Sequence, residues 1–514
     1  MNRQISRLGG ALLLAYFVLF AQLNRIQFFD AEEHEMNPVN TRVLVDDFGA
    51  PRGQILAAGG TVLARSTELE DGPFDRRREY PLGELFAEVT GFFSFDAGAD
   101  GLESSWDDEL RGDQNSLTDG LRELLGGEST TADVHTTLLV ELQEAARDAL
   151  GDRAGSVVVV DAQSGALEAL WSWPTYDPNP LASVDADEAR MARQQLLADP
   201  ANPLLPRTVR ELFFPGSTFK VVTAAAALEN GLATLDDPVF PEVVGYTPPL
   251  TTNELSNFGG NSCGGPLRDL IRRSCNAGMA QLAVQLVGPE ALIETAEGFG
   301  FNDIPPVGLP RVVASVMPTD FGENLGVDVE IDPAIAEQVD GRVPPIELTD
   351  DMPALAQTAV GQFEVKATPL QMALVAATIA NDGVVPNPHV VRAVVDADGS
   401  VLHEADLEQW GRAIGALTAE ALREAMVSAV VSGTAQRLAI DGLIIGAKTG
   451  TAQLDSDAES THAWVIAFAG DSIDRPAMAI AVLVEADDEL GEQTGGRVAA
   501  PVAKAVIEAW NVAR

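Results

Sequence analysis

Cysteine and lysine are nearly absent from this chain of 514 residues, which holds two cysteines and only four lysines, Lys220, Lys366, Lys448 and Lys504. Two cysteines exclude a small disulfide-stapled fold and a thiolate zinc site. The five histidines, His34, His135, His389, His403 and His462, form no His-Glu-x-x-His pair. No Gly-x-x-x-x-Gly-Lys-Ser/Thr or Gly-x-Gly-x-x-Gly loop occurs either, so neither a metal nor a cofactor is expected. Basic residues number 33 against 77 acids, a formal charge of −44. That balance excludes a nucleic-acid partner, because phosphate binding is driven by Lys and Arg contacts that release counterions. With 46% hydrophobic and 21% charged residues the composition is that of a folded protein. At roughly 100–200 residues per domain, two or three units are expected.

Long apolar runs are also scarce. One occurs, LGGALLLAYFVLFAQL from Leu8 to Leu23, preceded by Arg3 and Arg7 and followed by Asn24, Arg25, Asp30, Glu32, Glu33 and Glu35. At ~1.5 Å per residue it spans roughly 24 Å, short of the ~30 Å hydrocarbon core, so a single transmembrane helix continuing to Phe28 or Phe29 is expected. The flanking positive residues put the N-terminus in the cytoplasm and the body outside, at the plasma membrane. A cleaved signal peptide is the alternative, although no clear Ala-x-Ala site follows. Export leaves two readings of Cys263 and Cys275: a disulfide, or a small buried residue and a loop residue.

Residues 1–29 thus read as cytoplasmic tip and anchor. Residues 30–132 form a small mixed domain, with strand-like RVLVDD (Arg42 to Asp47) and LFAEVTGFF (Leu85 to Phe93). The polar stretch from Asn115 to Thr131 marks a boundary. In 133–514, SVVVVDA (Ser156 to Ala162) and ALEALWSW (Ala166 to Trp173) predict a buried hairpin. HAWVIAFAG (His462 to Gly470) and MAIAVLVEA (Met478 to Ala486) predict two more strands before a helix over Ala499 to Trp510. Between them lie helices such as Val221 to Gly231 and Pro369 to Gly383, each ending at glycine. An α+β fold is expected, with one sheet joined from chain-distant strands and covered by helices.

A sequence that uses arginine for nearly every cation keeps lysine where an amine that can lose its proton is needed. Lys220 lies in PGSTFK, three residues after Ser217, at the start of an apolar helix. The spacing predicts that hydroxyl and amine touch on one helical face, so that Lys220 can activate Ser217 once its pKa falls from about 10.4 toward 7. The bland alternative is a helix cap beside a solvated lysine. Lys448 ends an apolar strand as Lys448-Thr449-Gly450-Thr451, where Gly450 admits close backbone approach and the threonines and lysine can hold a peptide carboxylate. Ser274-Cys275-Asn276, between two helical segments, adds a second hydroxyl and a carboxamide.

In the order SxxK, SxN, KTG these are the motifs of penicillin-binding proteins and class A β-lactamases. The chain resembles the class B penicillin-binding proteins, nearest to the actinobacterial penicillin-binding protein A group, from its anchor to its C-terminus. The resemblance is carried by Arg52-Gly53-Gln54-Ile55, YPLGELFAEVTGFFS (Tyr80 to Ser94), WPTYDPN (Trp173 to Asn179), FPGSTFK (Phe214 to Lys220), TPLQMA (Thr368 to Ala373), KTGTA (Lys448 to Ala452) and HAW (His462 to Trp464). It departs from the family in NAGMA after the second motif and in lacking a glycine after Gln362. The resemblance implies a pedestal domain of the dimerisation type over 30–132 and a transpeptidase domain with a serine β-lactamase-like sheet over 133–514. It implies a peptidoglycan D,D-transpeptidase acting on stem peptides in division or septal growth and acylated by β-lactams. Ser217 would be the nucleophile, Lys220 its base and Ser274 a proton relay. Asn276, Lys448, Thr449, Gly450 and Thr451 would bind substrate, and the Ser217 and Thr451 N–H groups would form the oxyanion hole. With only about 100 residues before the catalytic part, polymerisation falls to a multispanning glycosyltransferase partner. The rivals are a D,D-carboxypeptidase or β-lactamase using water, for which no Glu-x-x-Leu-Asn stretch is found, and a non-catalytic β-lactam sensor or division scaffold.

Overall fold

The computed structural model describes residues 2–25, 48–70, 74–112, 131–339, 341–453, 460–487 and 493–514. Its first element, helix α1 (Asn2–Asn24), carries the apolar run, with Leu12, Leu13, Tyr16, Phe17 and Leu19 exposed. Among the described residues no helix is long and apolar enough to cross a membrane. Phe28 and Phe29, where the expected span would end, lie outside the described residues. So do the expected strand Arg42–Asp47 and the polar boundary stretch as far as residue 130.

Strands β1 (Ile55–Leu56), β2 (Val62–Glu68), β3 (Arg76–Glu79) and β4 (Ala132–Thr136) join β7 (Val391–Asp396) and β8 (Val401–Glu404) in one six-stranded sheet, ordered β8-β7-β4-β1-β2-β3. Strand β4 crosses the expected boundary at 132/133. It pairs parallel with β1 (Ile55 opposite Val134) and antiparallel with β7 (Val394 opposite Val134), tying the N-terminal part to residues far along the chain. The Arg52-Gly53 step has its reason here. A Cβ on Gly53 would lie against the Ala132 carbonyl, and Arg52 Nε and Arg78 Nε each donate to buried Glu103 at 2.6 Å. Burial pushes the Glu103 carboxyl up, but Arg78 and Arg52 outweigh it and hold it below the usual carboxylate range.

Leu85 to Phe93 is not a strand. It forms a helical turn over Gly83–Phe86 and another over Ala87–Thr90, with only Phe93–Ser94 extended. Burial there is nearly continuous, taking in Leu85, Phe86, Ala87, Val89, Thr90 and Phe93, so neither a strand nor a helical period stands out in the sequence.

The large sheet is the expected one. Strands β5 (Gly155–Asp161), β6 (Leu167–Trp173), β9 (Ile444–Gln453), β10 (Thr461–Gly470) and β11 (Met478–Val484) run antiparallel in the order β9-β10-β11-β5-β6. Every residue of β10 and β11 is buried, which is why both read as unbroken apolar runs. Helix α6 (Pro369–Ala380), buried along its whole length, packs on β5, β10 and β11. Helix α8 (Ala499–Ala513) packs on β10 and β11 with α2 (Val140–Leu150) beside it. The Thr368 hydroxyl caps α6 by accepting from Gln371 N at 3.1 Å, and Pro369 opens its first turn. Edge strand β9, with Thr451 opposite Ala463, faces the helices α3 (Lys220–Glu229), α4 (Leu267–Arg273), α5 (Asn276–Leu282) and α7 (Ala416–Ser432), which carry or border the site.

Candidate active site

Ser217 lies in a single 3₁₀ turn, Gly216–Thr218, that runs into α3 at Lys220. In a 3₁₀ turn positions i and i+3 eclipse, so the two side chains share a face. Gly216 has φ +52°, and its N–H donates to the Gly361 carbonyl at 2.9 Å. A Cβ on Gly216 would lie 2.8 Å from the Thr451 carbonyl; one on Gly450 would lie 3.0 Å from the Pro215 carbonyl. Two glycines thus let β9 close on the serine turn, and the Trp464 indole, donating to the Phe214 carbonyl at 3.0 Å, fixes that turn to β10.

Lys220 is fully buried. Its Nζ donates to the Ser274 carbonyl at 2.8 Å and Asn276 Oδ1 at 2.6 Å, and lies 3.4 Å from Ser274 Oγ. Lys448, also fully buried, donates to Ser274 Oγ and to the Thr449 carbonyl, both at 2.8 Å. Ser274 therefore stands between the two amines. It can do so because it takes φ +61° as the cap of α4, the left-handed turn that starts α5 at Asn276. Burial pushes the Lys220 amine well below the usual lysine range, and the charge of Lys448 pushes it further. Burial brings the Lys448 amine down to about 7. Among the described residues Lys220 makes no hydrogen bond to Ser217, where the spacing predicts that the two touch. Among the described residues the Ser217 side chain makes no hydrogen bond, because a buried amine takes fixed acceptors and Ser274 and Asn276 supply them.

Above the two lysines opens a cleft of about 950 Å³. Ser217, Ser274, Asn276, Thr449 and Thr451 line it; Lys220 and Lys448 lie beneath its floor. All three motifs therefore meet at one cleft. The remaining lysines are elsewhere: Lys366 lies over the Phe214 ring at 5.5 Å, and Lys504 donates to the Ala439 carbonyl at 2.8 Å.

Cys263 and Cys275 are joined in a disulfide, with their Cα atoms 5.7 Å apart. Cys275 directly follows Ser274, so the bridge ties down the loop that carries the Ser274 hydroxyl. Both departures from the family pattern have a place here. Gly278 of NAGMA brings α5 onto α4, where a Cβ would lie 2.5 Å from Leu270 Cδ2. Phe363 takes φ +67°, a glycine-like conformation that costs a side chain roughly 1–2 kcal/mol, and adds its ring to the cleft wall.

Sequence reading missed several supporting residues. Asn257 Oδ1 accepts from Asn276 N and Ala277 N, both at 2.9 Å, and so fixes the start of α5 from 19 positions away. Thr434 shares a hydrogen bond of 2.7 Å with the Thr449 hydroxyl. Gly433, ending α7, was the one available signal for it; nothing in the sequence marks Asn257.

Sequence comparison matches residues 155–508 to the penicillin binding protein transpeptidase domain and residues 52–134 to the penicillin binding protein A dimerisation domain. The chain is 36% identical over 527 residues to the peptidoglycan D,D-transpeptidase PbpA of Mycolicibacterium smegmatis, covering 99% of both chains. It is 36% identical over 523 residues to PbpA of Mycobacterium tuberculosis, again covering 99% of each. Among solved structures, the ceftriaxone acyl-enzyme of penicillin-binding protein A from M. tuberculosis superposes with a TM-score of 0.78 at 35% identity, over 90% of this chain and 99% of that one. Its imipenem acyl-enzyme gives 0.77 at the same identity and coverage.

Proposed function

The chain belongs to the penicillin-binding protein transpeptidase family, and from that premise we propose that it is a peptidoglycan D,D-transpeptidase that cross-links stem peptides through an acyl-enzyme on Ser217. The observation that carries this reading is the pair of buried amines on one hydroxyl, Lys220 and Lys448 on Ser274, beneath a cleft that Ser217 lines.

In this mechanism the Ser217 oxygen attacks the carbonyl of the penultimate D-alanine while its proton passes to the neutral Lys220 amine. The charge on the tetrahedral oxygen is met by the N–H groups of Ser217 and Thr451, where one donor is worth about 2.7–4 kcal/mol. The C–N bond breaks as Ser274 hands a proton to the departing amine, and D-alanine leaves. Lys448 keeps Ser274 oriented and replenishes its proton. Asn276 holds the substrate amide, Thr449 and Thr451 bind the terminal carboxylate, and Gly450 leaves room for the substrate backbone. An amine from a second stem peptide then attacks the ester, returning the proton by the same route and freeing Ser217. β-Lactams, as cyclic amides, acylate the same oxygen and lack a leaving group that departs.

Membrane attachment through the apolar segment of α1 belongs to the same proposal. Its Leu12, Tyr16, Phe17 and Leu19 are exposed among the described residues, and bilayer is the solvent that suits them. The catalytic body is then extracytoplasmic, acting in division or septal growth, with glycan polymerisation supplied by a separate multispanning glycosyltransferase. The test is covalent labelling with a fluorescent penicillin. Wild-type protein should form a stable adduct mapped to Ser217 by mass spectrometry, and Ser217→Ala should form none. Labelling retained in Ser217→Ala refutes the assignment.

A further inference from the structure

Four charged side chains line the cleft among the described residues: Glu254, Arg273, Arg437 and Arg497. In a chain of formal charge −44 this is a local excess of positive charge, and it lines the cleft. Arg273 is engaged by Glu242 at 2.6 Å. Arg437 and Arg497 have no ion-pair partner among the described residues; the Arg437 guanidinium donates only to the Arg497 carbonyl, at 3.3 Å. Both line the same cleft as Thr434 and Thr449, whose hydroxyls are paired. Arg437 follows Thr434 by three residues, and Arg497 follows Gly496, where a Cβ would lie 2.6 Å from the Thr434 carbonyl and 3.8 Å from Thr449 Cγ2. Lys448 is placed differently. It has no exposure to the cleft and spends its donors on Ser274 Oγ and the Thr449 carbonyl. Two of its three N–H donors are thus engaged, and the side chain is not among those lining the cleft.

We infer that Arg437 and Arg497, rather than Lys448, supply the positive charge that holds the terminal carboxylate of a peptide or β-lactam at the Thr449 end of the cleft. The inference rests on the reading of the cleft given above and assigns it two specificity residues. Guanidinium suits this role because it stays charged throughout the working pH range and meets a carboxylate through a planar fork. Lys448, whose amine burial brings down to about 7, is left to the proton traffic of Ser274.

The test compares second-order acylation rates with benzylpenicillin and with its methyl ester, which keeps the reactive amide and lacks the carboxylate. Arg437→Gln/Arg497→Gln should lose about tenfold or more with benzylpenicillin, the measure of a charge-assisted contact removed. With the ester it should match wild type within about twofold, and Arg437→Lys/Arg497→Lys should recover part of the benzylpenicillin rate. Both side chains are exposed, so an unchanged unfolding midpoint is expected for each variant. An unimpaired Gln double variant, or equal loss with acid and ester, overturns the inference while Ser217 labelling stands. A wild-type protein that forms no adduct with either compound overturns the functional reading and this inference with it.

Discussion

A lysine in water is protonated up to about pH 10, and a protonated amine cannot accept the proton of a serine. Lys220 escapes that limit by being dehydrated and by lying in the field of a second ammonium, so its partners decide its pH behaviour. The most direct lever is Asn276, whose Oδ1 sits 2.6 Å from Nζ. Asn276→Asp puts a carboxylate there without changing the shape of the site, and an opposite charge at that range favours the ammonium. The acid limb of the acylation pH profile should therefore move upward by roughly 1–3 units, with lower rates at neutral pH and recovery in alkali. Penicillin-labelling rates taken across pH would record it. A limb that stays put means that the titrating base is another group. This part of the molecule was the most legible in the sequence. In an arginine-preferring chain, Lys220 and Lys448 stand out by chemistry alone, and their spacing from Ser217, Thr449 and Gly450 placed them on the right elements. What the spacing could not convey is that Lys220 turns to Ser274 and Asn276, because those residues arrive through a tertiary turn at Ser274 whose left-handed φ no motif announces.

Elements meet at the site through backbone, and that contact leaves little room for side chains. The Gly216 N–H bonds the Gly361 carbonyl, and a Cβ on Gly361 would overlap the Gly216 carbonyl, at a position where φ is +81°. Neither group is a flexible side-chain end, so the turn carrying Ser217 must shift if Gly361 is replaced. Gly361→Ala should lower stability by about 1–3 kcal/mol and cut acylation sharply. Gly442→Ala is the control: φ there is +86° but nothing lies within 4 Å, so only the conformational cost of about 1–2 kcal/mol remains and labelling continues. Denaturant unfolding alongside labelling separates the two, and equal labelling of both variants counts against the shift. Strands were legible where both faces are buried, as in β10 and β11, since an apolar run of that length between turn residues has few alternatives. The run from Leu85 to Phe93 defeated the same rule because two short helical turns are also buried almost throughout, so a continuous apolar run does not separate them from a strand. Asn257 and Thr434 were invisible for a related reason. Each matters through one hydrogen bond to a distant element, and polar residues in loops are common.

Across the whole molecule the dominant physical fact is charge, 77 acids against 33 bases. Self-repulsion on that scale opposes compaction, and added salt weakens it by shortening the Debye length from ~10 Å at 0.1 M to ~3 Å at 1 M. The thermal midpoint should rise with sodium chloride over that range, whereas a protein held chiefly by surface ion pairs would lose stability. A calorimetric series settles the sign. The large sheet has a different consequence, concerned with time. Its centre pairs β5, near residue 160, with β11, near residue 480, and the strand bearing Thr451 joins through β10 from the same late stretch. A polypeptide emerging from its N-terminus delivers Ser217 more than two hundred residues before the edge that closes over it. In the mechanism we propose, until those last strands arrive the serine has no oxyanion-side wall and no neighbouring ammonium to keep its base neutral. On that mechanism a newly made copy stays chemically silent until nearly the whole chain has been delivered, and one truncated before β9 should form no penicillin adduct.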